Sequence, residues 1–205
     1  MEIQSHVLAV KTIRSLTIAY DECPVNPRTD YEPMCKIATV AGTSKDHLGD
    51  IRMSIEELND IRKSEECISM PVYIMDHSGV SLSLTSFNDK WDSGVFGLIY
   101  ISKNRASHEF EDLSGLDLER KIWEVMEGEI SLYNMYLIGS CYYAVIKTQK
   151  ETEIDGEKYY TKTENEDSLS SIFAEYGDIL PEVLSCFGMA EEDFESITVL
   201  DRKVK

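Results

Sequence analysis

Three strand-like runs sit between residues 71 and 102 and limit the fold more than any other feature of the chain: "PVYIM" (71–75), "GVSLSLT" (79–85) and "VFGLIYIS" (95–102). The first opens on a proline, which a strand tolerates at its first residue. The second alternates, with Val80, Leu82 and Leu84 on one face and Ser81, Ser83 and Thr85 on the other, the period of a half-buried strand. The third is almost continuously apolar, as a strand buried on both faces would be. "DHSG" is short enough for a hairpin with Gly79 at positive φ, while "SFNDKWDSG" is longer. Sequential strands tend to neighbour one another, so the expectation is three adjacent antiparallel strands with 79–85 in the middle. That order puts the two loops at opposite ends of the middle strand, some 17 Å apart, and argues against a joint Asp76–Asp92 metal site.

The rest of the chain fills in an α+β domain, a mainly antiparallel sheet with helices packed on it. Val7 to Tyr20 reads as one long strand or a bent pair. Pro24, Pro27 and Pro33 forbid regular structure in the following segment, and "GTSKDHLGD" (42–50) is a loop. Ser54 and Glu57 have capping-box spacing at the start of a short amphipathic helix carrying Ile55, Leu58 and Ile61. The longest helix is predicted over about 116–138, with Leu118, Ile122, Val125, Glu129, Leu132 and Tyr136 stepping by three or four and Gly139 just past its end. "SCYYAVIKTQ" reads as a strand continuing into a hairpin around Asp155-Gly156. A short helix is expected near 169–176, and Pro181 opens "PEVLSCFG". The chain reads as a single domain over 1–205, with 166–205 as a candidate acidic appendage.

Charge separates the classes of function. The chain carries 20 lysines and arginines against 38 aspartates and glutamates, a balance of −18. Residues 1–105 hold 11 basic and 15 acidic side chains (−4), and residues 106–205 hold 9 and 23 (−14). Direct binding of nucleic acid needs a basic face to displace counterions, and none is visible. An acidic surface attracts basic partners instead. The residues expected to form it are Glu151, Glu153, Asp155, Glu157, Glu164, Glu166, Asp167, Glu191, Glu192 and Asp193. No apolar run is long enough for a membrane span, and the first twenty residues lack the pattern of a signal peptide, so a cytoplasmic protein is expected. Cys23, Cys35, Cys67, Cys141 and Cys186 are odd in number and widely spaced, which suits reduced, mostly buried thiols rather than disulfides or a zinc site.

Complete catalytic motifs are missing: there is no phosphate loop, dinucleotide fingerprint, GxSxG or HExxH. Asp76-His77-Ser78-Gly79 holds the residue types of a triad, but adjacent residues on a tight turn point apart. An Asp-started turn closed by glycine explains it more simply. An acid–base or metal role and a partner-binding tip are the alternatives. Trp91-Asp92-Ser93-Gly94 follows the same logic, with Trp91 expected to pin its loop to the core. No catalytic set is assigned. If the protein were an enzyme, Asp76, His77, Asp92 and Asp50 would be the candidates for a metal-assisted hydrolase. No cofactor and no metal are expected from the spacing.

In order along the chain, "NPR" (26–28), "LGD" (48–50), "IMDHSG" (74–79), "WDSGVFGLIY" (91–100) and "YNMYLIG" (133–139) resemble a family of proteins found widely in bacteriophages and other mobile elements. The resemblance spans residues 24–150, with Met75 standing where the family usually has an aromatic residue. It implies a mobile-element product in a bacterial cytoplasm and brings no catalytic residues with it. Together with the charge, it points to an accessory protein that binds and disarms or redirects a host protein, as an anti-restriction or anti-CRISPR protein does. The expected partner is a host protein with a basic surface, such as a nucleic-acid-binding nuclease. A structural or assembly partner is the blander alternative.

Overall fold

The structure, a computed structural model, describes residues 7–89, 91–161, 165–175 and 177–200. The chain is α+β and divides into two compact units. One is the continuous segment Val25–Ile138. The other is assembled from the two flanking segments, Met1–Pro24 and Gly139–Lys205.

In the inserted unit, strands β2 (Lys36–Val40), β3 (Ile51–Met53), β4 (Cys67–Asp76), β5 (Val80–Ser83) and β6 (Ser93–Ser102) form a sheet in the order β3-β2-β6-β4-β5. The expected strand order is corrected here. The strand at 71–76, not the one at 79–85, lies in the middle, paired with β5 on one side and β6 on the other. Both neighbours run antiparallel to β4, so they run parallel to each other. Residues 84–92 carry the chain back across the end of β4 to make that possible.

Helix α1 (Ile55–Lys63) begins with the predicted capping box: Ser54 Oγ accepts from the Glu57 N–H, and Glu57 Oε2 accepts from the Ser54 N–H at 2.7 Å. Alternation in the strands feeds two layers. Ile37, Val72, Leu82 and Ile99 pack with Ile122, Met126, Ile130 and Tyr133 of α3 (Gly115–Ile138), whereas Ala38 and Leu98 pack with Leu58 of α1. Each such burial of a large aliphatic contributes about 1.5–3 kcal/mol. A short α2 (Lys103–Glu109) joins β6 to α3.

In the flanking unit, β1 (Val7–Tyr20) pairs along its length with β7 (Cys141–Ile154), and β10 (Ser196–Val199) adds in parallel on the outer side of β1. On the far side of β7 lie β8 (Glu157–Tyr160) and β9 (Asn165–Phe173). Asp155 (φ 52°) and Gly156 (φ 82°) both take the left-handed conformation that a two-residue hairpin requires. Residues 169–173 belong to β9 rather than to the helix expected at 169–176. The next helix is α4 (Ile179–Phe187), ended by Gly188 at φ 63°. Residues 166–200 therefore supply strands and a helix to this unit, and Ile172, Val183 and Leu184 join Leu16, Ile18 and Tyr142 in its core.

Candidate functional site

Because β4 lies between β5 and β6, the turn that ends β4 and the loop that enters β6 meet at one end of the sheet. The pairing Met75↔Ser93 places Asp76 beside the 91–94 loop. The Asp76 N–H donates to the Asp92 carbonyl at 2.8 Å, and His77 Nδ1 lies 2.6 Å from Asp92 Oδ2. The sequence-based expectation that these loops stand apart is thus overturned, through the strand order. In the tight turn Ser78 (φ 58°) takes the left-handed conformation and Gly79 is at positive φ (157°), as the sequence suggested. Lys45 Nζ approaches Asp76 Oδ2 at 3.2 Å across a shallow cleft of about 140 Å³, whose walls include Ile74, Val95 and Phe96.

The second loop is held from within. Asp89 Oδ1 accepts from the Trp91 N–H (2.7 Å) and the Asp92 N–H (3.1 Å), and Ser93 Oγ donates to the Asp89 carbonyl. Those two backbone donors hold the Asp89 carboxyl below its ordinary value. Trp91 itself does not reach the core. It is 95% exposed, which corrects the expected anchoring role, and Val95 nearby is 69% exposed. Gly94 is exposed at the start of β6. The polar groups of the loop fix its backbone, and the indole is left to solvent.

Asp92 orients one nitrogen of the His77 ring, an arrangement that a general base also uses. Among the described residues, however, no cluster of three His, Cys, Asp or Glu side chains is placed to hold a metal. Asp50 is engaged elsewhere, in a buried network. Arg28 Nε lies 3.1 Å from Asp50 Oδ1, Arg28 Nη2 pairs with Asp50 Oδ2, and Arg28 Nη1 lies 2.6 Å from Glu129 Oε2. The remaining lone pairs are used as well: Asp50 accepts from the Ile37 N–H, and Glu129 accepts from the Met34 and Cys35 N–H groups. The two carboxylates favour the charged guanidinium against the desolvation that opposes it, and the Arg28 pKa is raised. A carboxylate at position 129, inside an apolar helical stripe, is the signal in the sequence that such a partner must exist.

The acidic residues are dispersed. Glu151 pairs with Lys158 at 3.0 Å, which holds its carboxyl low, and Glu157 accepts from the Tyr159 hydroxyl. Lys147 and Lys150 precede, and Lys158 follows, the run Glu151, Glu153, Asp155 and Glu157, so this hairpin is of mixed charge. Glu166 and Asp167 are exposed on β9, and Glu191, Glu192 and Asp193 form an exposed turn. Glu164 lies outside the described residues. By unit, the balance is 18 acidic against 9 basic side chains in the flanking unit and 20 against 11 in the inserted one, −9 each. Of the five thiols, Cys35 and Cys141 are buried, Cys67 is half-buried, and Cys23 and Cys186 are exposed, fewer buried than the sequence suggested. No described helix is long and apolar enough to cross a membrane.

The fold and this loop cluster define an α+β protein that presents an aromatic side chain on a braced loop. Compared with known protein families, curated proteins and solved structures, the chain matches none.

Proposed function

We propose that the protein is an accessory factor of a bacteriophage or other mobile element that acts by binding a host protein in the bacterial cytoplasm. In the most concrete form of this reading, it is an anti-restriction or anti-CRISPR protein that occupies the basic groove of a nucleic-acid-binding nuclease. The observation that carries the binding role is Trp91, almost fully exposed on a loop whose backbone is fixed by Asp89. Tryptophan is the residue type most enriched among binding hot spots, and bracing reduces the entropy lost on association. The −9 balance of each unit supports a basic partner. The test is capture from a bacterial lysate at low and high salt, with the wild-type chain beside Trp91→Ala. Retention of a nucleic-acid-binding protein by wild type, lost in the variant, supports the reading. Equal retention by both overturns the role of Trp91, and failure to retain any such protein at either salt overturns the partner class.

A second reading, a hydrolase using His77 with Asp92 and Asp76, is favoured by the 2.6 Å contact between His77 and Asp92. It requires that His77→Ala abolish an activity that Trp91→Ala leaves intact.

A further inference from the structure

We draw no further inference here: the strongest candidate, the outer edge of β1 over residues 10–13, which lies beyond its pairing with β10 and leaves Val10 exposed, carries nothing because nothing among the described residues shows what covers it.

Discussion

The side-chain amide of Asn134 makes both hydrogen bonds of a neighbouring strand with Leu82: Oδ1 accepts from the Leu82 N–H and Nδ2 donates to its carbonyl, each at 2.8 Å. β5 is the edge of its sheet, and an unguarded edge is a template for pairing with another chain. One residue of α3 therefore fixes the helix to the sheet and closes that edge. Asn134→Ala is expected to lower stability by about 1–3 kcal/mol, the range for leaving buried or half-buried backbone groups unpaired. It should also raise the fraction of dimer or larger species. Urea unfolding measures the first effect and size-exclusion chromatography the second.

Arg28 is the keystone of its unit, because a single guanidinium serves Asp50, Glu129 and the Cys35 carbonyl. Removing it leaves two carboxylates buried without their cation. Arg28→Met is expected to lose about 3–5 kcal/mol, as when one partner of a buried ion pair is deleted. Arg28→Lys should recover only a small part of that, since an ammonium cannot reproduce the forked geometry. Denaturant midpoints for the two variants give the comparison, and a Lys variant close to wild type would contradict this account.

Two glycines should respond in opposite directions to the same substitution. A methyl group at Gly97 falls 1.9 Å from the Ala38 carbonyl oxygen, a backbone atom in the adjacent β2. Gly97→Ala is therefore expected to prevent normal pairing of β2 with β6 and to yield little folded protein. Gly128→Ala meets no such atom and should stabilise the helix by about 1 kcal/mol. Thermal melts of both variants distinguish the two situations.

Thiol chemistry follows burial. Desolvation pushes the Cys35 thiol up to about 12 and the Cys141 thiol up to about 11, with the Glu129 and Asp21 carboxylates respectively acting in the same direction. At pH 8, Cys23 and Cys186 should react rapidly with a thiol reagent, and Cys35 and Cys141 only on unfolding. The raised values also link to stability. Below the ordinary thiol value of 9.0 the proton is bound in both states. Above it the unfolded chain releases the proton first, so stability falls with rising pH until the folded thiol ionises near 12. Cys35→Ala should show a shallower decline between pH 9 and pH 11 than wild type, measured by urea unfolding at each pH.

Local chemistry was legible and strand order was not. The alternation of Val80, Leu82 and Leu84, the Ser54–Glu57 capping box and the left-handed turn at Asp155-Gly156 each depend on residues close in sequence. Whether β6 pairs with β5 or with β4 depends on where residues 84–92 carry the chain, and their composition suits either path. The same limit applied to the site, since the meeting of His77 with Asp92 is a consequence of that order. In β9, Leu169, Ile172 and Phe173 have the spacing of a helical face. A bulge opposite Tyr142–Ala144, with Ser171 at φ 55°, resets the alternation there and makes a strand look like a helix. Four residues of the segments at 26–28, 48–50 and 91–100 have structural explanations. Arg28 and Asp50 form the buried pair, while Gly49 and Gly97 sit where a side chain would collide.

The insertion of one unit between β1 and β7 also fixes an order of events during synthesis. Tyr20 pairs with Tyr142, and the partners along β1 lie still further apart in the chain. At about 5–20 residues per second, on the order of 6–25 s separate the emergence of β1 from that of its first partner. The whole of Val25–Ile138 leaves the ribosome in that interval and can complete its own sheet. For those seconds β1, a long strand rich in Val, Ile and Thr, has no partner of its own unit and is the segment most exposed to chaperone capture or misassembly.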